Sequence, residues 1–519
     1  MPQRWLILVA VVTGLALDLL DITVVNVAIP HLMAEFGTDI DTVQWVATAY
    51  LIAMGVVIPL SAFLADTYGT RRLFLVSMGL FTVGSFLCGL AWSFNALVLF
   101  RVLQGLGGGM IMPLGISIVY KTFPPPQRDM AMGIMGLPLL VAPAIGPVLG
   151  GYLVESATWR LIFYINLPVG LLAILLTILV MPEFATRPAR ADYIGFLLAA
   201  PALSGLLWAL SKAPSDGWDA PYVVLLLLFA GFSLTLFLLW EMSRAEPLVE
   251  VKLFCRPVYA AGALAMTLAI MAIMGSLFLL PVFLQEIKGY GPLTTGVILL
   301  PEGLAAAVAL PVAGFLVTRV GPGPLALTGT VMVALATLSF TRLGLETPVS
   351  FLTPNLALLG FGMGLGIMPV MTAALDVVPP ELNNQATSLL NMLRQVGSSF
   401  GIAIMATVAQ THQEMHYVRL AERLTYDYPL LSELVARLRW ALAGTGDSSA
   451  TWAVVAAQLH LQAAVCALDD AFNPAVIFGI LAVLGVTVLC CCRKMRTGVA
   501  RKREVSSHDA HSPQTFTHL

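Results

Sequence analysis

Apolar residues fill this chain in long runs separated by short polar breaks. Runs of roughly 20 residues, the length of helix that crosses a bilayer, fall near 6–28, 43–65, 73–92, 95–120, 130–154, 160–181, 192–211, 221–241, 258–284, 293–317, 324–343, 350–374, 385–409 and 472–492. The pattern predicts fourteen spanning helices. Only one break is long. Residues 411–470 hold amphipathic stretches at Leu430 to Leu442 and Ala453 to Leu468. They predict a helical hairpin lying on the outer interface, or a face that docks a periplasmic adaptor protein.

Composition agrees with the pattern. Of 519 residues 58% are hydrophobic and 11% charged, where a soluble domain carries about 25% charged residues. The chain reads as an all-α integral membrane protein with no soluble domain of normal size. The first run continues past Asp21 without a small-residue cleavage site, so no cleavable signal peptide is expected. The basic residues set a direction. Seventeen of the 27 Lys and Arg fall in segments on one side, six of them in the tail from Arg493 to Arg503, and eight on the other. Positive charges favour the cytoplasm, so both termini are expected inside the cell, with the basic tail against anionic lipid.

Two carboxylates interrupt the first run. Twelve uncharged, mostly apolar residues, Leu6 to Leu17, precede Asp18. At about 1.5 Å per residue, Asp18 lies roughly 18 Å and Asp21 roughly 22 Å from the first turn, too deep to snorkel. A carboxylate there costs about 2.5–3.5 kcal/mol on insertion scales. At this spacing the two share a helix face. Such a face is tolerated where it lines a wet cavity and binds and releases a proton or a cation.

Other polar residues sit inside runs. Arg101 lies about two turns into the fourth, with Gln104 on the same face. It either snorkels outward or finds an acceptor within the bundle. Gly105, Gly107, Gly108 and Gly109 admit close approach by a neighbouring backbone. Glu302 lies about ten residues into the tenth run, and Asn391, Arg394 and Gln395 share one side of the thirteenth. Glu302 and Arg394 are expected to face each other across a cavity or to form a buried structural pair; Arg394 alternatively snorkels or latches at the nearer helix end. In the turn after the second run, Gly69 is needed for tightness. Asp66 with the following arginines either latches two helices or marks an ordinary positive turn. The fifth run holds Gly136, Pro138, Pro143, Gly146, Pro147, Gly150 and Gly151, a density that suits a helix whose bending or close packing matters.

Taken together these runs resemble the major facilitator superfamily, in its fourteen-helix drug/proton antiporter branch of the EmrB/QacA type. Asp21 to Pro30 resembles the branch's first-span signature L-D-x-T-x-x-N-x-A-x-P. Asp66, Gly69 and Arg71 resemble the loop motif, which departs at Ala62 and Thr67. Arg101, Gln104 and Gly105 resemble the fourth-span motif, and Gly146, Pro147, Gly150 and Gly151 the fifth-span antiporter motif. Trp159 to Pro168 resembles W-R-x-I-F-x-I-N-x-P. Asp18 lies outside these signatures. A faint echo of the loop motif recurs at Gly314 to Arg319 with Gly321, as a repeated half would give.

The resemblance implies a major facilitator fold: two six-helix bundles, 1–182 and 258–492, an inserted helix pair at 183–257 packed outside the transport path, and a basic cytoplasmic tail at 493–519. It implies a multi-pass protein of the cell (inner) membrane that exchanges small hydrophobic or cationic compounds for protons. The alternative is a dedicated exporter of one endogenous metabolite, such as a siderophore or antibiotic. Asp21 and Arg101, with Asp18 and Glu302 added on physical grounds, are the expected proton-coupling residues. Asn26, Gln104, Asn391 and Arg394 are expected at the substrate cavity. Asp66, Gly69, Arg71, Gly146, Pro147, Gly150 and Gly151 are expected to serve conformational change. No G-x-x-x-x-G-K-[ST] loop is present, so ATP is not the expected fuel. Cysteines at 88, 255, 466 and 490–492 lack metal-ligand spacing, and no span holds a His cluster. Neither cofactor, metal, nucleic acid nor enzymatic chemistry is expected; a non-transporting sensor or intramembrane enzyme is the rival class.

Overall fold

A computed structural model describes residues 3–38, 40–156, 158–184, 192–244, 247–423 and 448–510. The apolar runs fold as helices because hydrocarbon offers no partner for an unpaired backbone group, and a helix bonds its own. In chain order the long helices are α1 (Gln3–Phe36), α2 (Trp45–Tyr68), α3 (Thr70–Gly89), α4 (Phe94–Thr122), α5 (Pro125–Ser156), α6 (Asn166–Val180) and α7 (Tyr193–Asp216). They continue with α8 (Pro221–Ser243), α9 (Pro257–Val282), α10 (Pro292–Val320), α11 (Pro322–Phe340), α12 (Val349–Leu375), α13 (Asn383–Arg423) and α14 (Ser448–Ala510). Among the described residues thirteen are long and apolar enough to span a membrane. α5, several of whose side chains lie outside the described residues, occupies the remaining expected run.

The helices pack in two sets with the same pattern. α4 lies against α2 and α3, and α12 lies against α10 and α11. α5 pairs with α1, and α13 with α9. The turns match as well. Gly69 closes α2 with φ 95° and ψ 135°, its N–H bonded to Ala65 O. Gly321 closes α10 with φ 84° and ψ 162°, its N–H bonded to Val317 O. Glycine adopts that positive φ without a Cβ clash, so each helix reverses in one residue.

The two sets meet where α5 lies along α10 and where α13 lies along α2 and α4. α7 packs against both α2 and α13, with Trp45 and Trp208 edge to face at 5.2 Å between centroids. α8 packs chiefly on α7 and turns Leu225, Leu228, Phe232 and Leu239 outward, an apolar face suited to lipid.

The long break differs from its expectation. α13 continues through 410–423, and α14 begins at Ser448, so the stretch Ala453 to Leu468 is an extension of the last spanning helix. Both extensions leave the bundle as an antiparallel pair, closed by Tyr417 stacked on His460 at 4.0 Å. An amphipathic helix that has a partner buries its apolar stripe against that partner, with no need of an interface. Leu430 to Leu442 lies outside the described residues.

Candidate functional site

The site forms where α1, α2, α4 and α6 converge. Asp21 is 1% exposed. Its Oδ2 accepts from Arg101 Nη1 at 2.5 Å. Its Oδ1 accepts from Gln104 Nε2 at 2.9 Å and from Asn166 Nδ2 at 2.8 Å. Arg101 is itself fully enclosed. Its Nη1 also donates to Gln104 Oε1 at 2.8 Å, and its Nε to Val46 O at 3.0 Å. Its Cζ stands 4.0 Å from the centre of the Tyr50 ring, a distance at which the ring face attracts a cation. Asn166 donates on to Ser85 Oγ at 3.0 Å, and Ser85 to Phe163 O at 2.9 Å. One ion pair is thus wrapped in hydrogen bonds, the condition under which a buried pair is tolerated.

Asp18 faces a different partner. Its Oδ1 accepts from Tyr50 Oη at 2.5 Å, and Arg394 of α13 lies within electrostatic range. Gly108 makes the room: a Cβ there would lie 2.5 Å from Asp18 Oδ1 and 2.6 Å from Tyr50 Oη. Tyr50 therefore joins the two carboxylates, bonding one and carrying the guanidinium that pairs with the other. The sequence reading did not single out Tyr50 and quoted Asn166 only within a motif. Tyrosine in a span is unremarkable until a neighbouring helix fixes what its hydroxyl meets.

Glu302 and Arg394 are not brought together. Arg394 Nε donates to Asn391 Oδ1 at 3.3 Å, and its charge acts on Asp18. Glu302 is 7% exposed and has no ion pair among the described residues. The reason is helical: α12 packs between α10 and the rest of its bundle, and Gly360 sits on the Glu302 backbone. Gln104 is fully buried in the Asp21 network and faces no open cavity. The side chain of Asn26 lies outside the described residues.

A narrow cleft between the two helix sets, with room for no more than a water molecule, has Asn391 and Arg394 at one wall and Met112, Met266, Met368 and Met371 around them. Methionine is flexible and polarizable and accommodates varied apolar shapes. These methionines come from α4, α9 and α12, so no local pattern along the chain announces the lining.

Toward the Gly69 end the two sets are tied. Asn384 of α13 donates through its amide to Asp66 of α2, and its oxygen accepts from Ser117 of α4. Ser388 donates to Ile58 O at 2.7 Å, and Tyr120 to Asp376 at 2.9 Å. Arg71 donates to Ile178 O of α6 at 2.8 Å, and Arg72 meets Glu183 at 3.5 Å. The loop motif thus ties Asp66 to the other helix set, Arg71 to α6 and Arg72 to Glu183 just past it. On α5, Gly146 and Gly150 lie against Thr23 and Val24 of α1, while a Cβ on Gly151 would meet nothing within 4 Å. The side chain of Pro147 lies outside the described residues.

Two helix sets of one pattern, with a buried carboxylate–guanidinium pair in the first, are the architecture of a multi-pass membrane transporter. A family model described as Major Facilitator Superfamily matches residues 11–402, and the chain belongs to that superfamily, in its EmrB-type branch. It is 38% identical over 403 residues to the Multidrug resistance protein B homolog of Mycobacterium tuberculosis (strain ATCC 25618 / H37Rv), covering 76% of this chain and 74% of that one. It is 33% identical over 417 residues to the Tetracenomycin C resistance and export protein of Streptomyces glaucescens, covering 78% and 76%. In fold it is similar to the human organic anion transporter MFSD10 (TETRAN), with a TM-score of 0.63, 16% identity and coverage of 94% of this chain and 100% of that one.

Proposed function

We propose that this protein is a proton-coupled antiporter of the cell membrane that exports small hydrophobic or cationic compounds by alternating access. The Asp21–Arg101–Tyr50–Asp18 array carries the reading. Asp21 is the exchangeable proton site, and Arg101 holds its ionised form. A proton on Asp21 cancels the ion pair and frees the guanidinium toward Tyr50 and the second carboxylate. Asp18 stands between Tyr50 of one helix set and Arg394 of the other. A proton or cationic substrate there weakens its attraction for Arg394 and so acts on the interface between the sets. Protons and substrate then compete for acidic groups, which gives exchange. The methionines between the sets would offer flexible apolar surface to a compound once the sets part.

The distribution of basic residues puts the Gly69 end and both termini in the cytoplasm. On that assignment the Asn384 ties close the cytoplasmic end, the arrangement from which an exported compound is released outside. In this reading the pair α7–α8 is an insertion at 183–257 between six-helix bundles at 1–182 and 258–492. The test is proteoliposome transport of a cationic dye under an imposed pH gradient. Gradient-driven flux that disappears in Asp21→Asn supports the reading; flux at the wild-type rate in that variant refutes the assignment.

A narrower reading, export of a single metabolite, draws support from the similarity to the tetracenomycin C exporter. A substrate panel separates the two: competition by many unrelated compounds favours the broad reading, and competition by one chemical series the narrow one.

A further inference from the structure

On the extensions of α13 and α14, at the end opposite Gly69, three metal-ligating side chains converge. His412 and His416 lie four residues apart, one helical turn, so their rings leave the same face of α13. Asp470 of α14 faces both. His412 Nδ1 is 2.7 Å and His416 Nε2 2.8 Å from the same oxygen, Asp470 Oδ2. The three candidate ligand atoms all lie within 4.8 Å of one another. The side chains are 35%, 22% and 35% exposed, which leaves an entry path for an ion.

We propose that His412, His416 and Asp470 form a binding site for a divalent transition-metal ion of the zinc class. Two imidazoles and a carboxylate are a donor set that zinc, cobalt and nickel accept. At ligand bonds of about 2.0–2.2 Å, tetrahedral donors stand about 3.3 Å apart. Each ring nitrogen needs to move roughly half an ångström from Asp470 Oδ2, within reach of side-chain rotation for partly exposed groups. Asp469 adds a second negative charge next to the site, and its Oδ1 is buried without a hydrogen-bond partner among the described residues. Behind the trio, Tyr417 stacked on His460 holds the two extensions in register. A bound ion staples α13 to α14, and α13 is the helix that carries Asn384, Asn391 and Arg394. The sequence reading looked for clusters within spans; the signal it passed over is the H-x-x-x-H spacing just past the thirteenth.

The test uses the full chain, purified without a histidine tag and carrying Cys255→Ser, Cys466→Ser, Cys490→Ser, Cys491→Ser and Cys492→Ser, so that only the buried Cys88 thiol remains. Equilibrium dialysis against Zn2+ should find one equivalent per chain that is lost in His412→Ala/His416→Ala. Cobalt should give a ligand-field absorption band that zinc displaces. The affinity should fall by about tenfold or more in Asp470→Asn, whose side-chain shape is kept, and should weaken as acid protonates the imidazoles. Zinc should raise the melting temperature of the parent by more than that of Asp470→Asn. If the double variant fails to fold, Asp470→Asn alone decides. Equal zinc stoichiometry, affinity and melting response in parent and Asp470→Asn would overturn the proposal and leave the trio as hydrogen-bonded helix packing.

Discussion

The two helix sets share a backbone code and differ in chemistry. In the first, Gly105 and Gly109 of α4 lie on Tyr50 and Met54 of α2, while Gly107 lies on Ser77 and Phe81 of α3. In the second, Gly360 and Gly364 of α12 lie on Glu302 and Ala306 of α10, while Gly362 lies on Gly329 and Val333 of α11. Gly69 and Gly321 end α2 and α10 alike. In that shared register Leu356 stands where α4 has Arg101, Leu359 where it has Gln104, and Glu302 where α2 has Tyr50. α9, which pairs with α13 as α1 pairs with α5, carries no acidic residue. The repeat keeps the small residues that let helices meet and replaces a polar network with aliphatic packing. Coupling chemistry is therefore expected in the first set, with the second a largely apolar counterpart that contributes Arg394 across the interface.

The largest effect should come from setting the two buried acids against each other. Asp21→Asn is expected to lower pH-driven transport about 100-fold or more, since three hydrogen bonds to one charge, each worth about 1.5–3 kcal/mol, change together. Glu302→Gln, with no such partners among the described residues, should cost less than about tenfold. Equal losses in reconstituted vesicles would erase the asymmetry.

Next comes Arg101→Lys. An ammonium keeps the charge but cannot reach Asp21, Gln104 and Val46 O in the fork geometry. Transport should drop roughly tenfold to a hundredfold while the protein still folds, and a thermal melt checks the second part. A variant with unaltered flux would make Arg101 a structural residue.

A smaller effect is expected from Gly108→Ala, whose methyl group would press on the Asp18–Tyr50 hydrogen bond. A loss of about tenfold, the worth of one charge-assisted bond, should appear in flux of cationic more than neutral compounds. The position in the same register of α12 is Met363, and Met363→Leu conserves volume, so it should change flux less than about twofold.

The smallest contrast lies on α5. A Cβ on Gly146 would overlap Thr23, whereas one on Gly151 has open space. Gly146→Ala should slow transport several-fold with dye binding retained, and Gly151→Ala should be near neutral. A strong effect at Gly151 alone would mean that α5 changes neighbours during the cycle.

Much of this was legible in sequence because a bilayer leaves the backbone little choice. Fourteen apolar runs become fourteen helices, and deep charges must find partners, as Arg101 finds Asp21. What was not legible is helix rotation. Whether Asp18 or Asp21 takes the guanidinium, and that Tyr50 serves the other, depends on facing angles that a single helix does not encode. Glu302 and Arg394 share a plausible depth yet face different neighbours for that reason. The Asp66 tie to Asn384 was hidden similarly, since the partner lies more than 300 residues away, and the methionine cleft is assembled from helices far apart in the chain.

Asn384 has a consequence for how the protein divides its time between shapes. Its amide serves two helices at once, donating to Asp66 and accepting from Ser117. One bond to a charged group and one between neutral groups are together worth about 3 kcal/mol, a ratio of roughly a hundred to one between tied and untied forms. A ligand that prefers the untied form about a hundredfold brings the two to parity, and one that prefers it about ten-thousandfold inverts them. A tie of that strength keeps the Gly69 end shut at rest and leaves it within reach of an ordinary binding event.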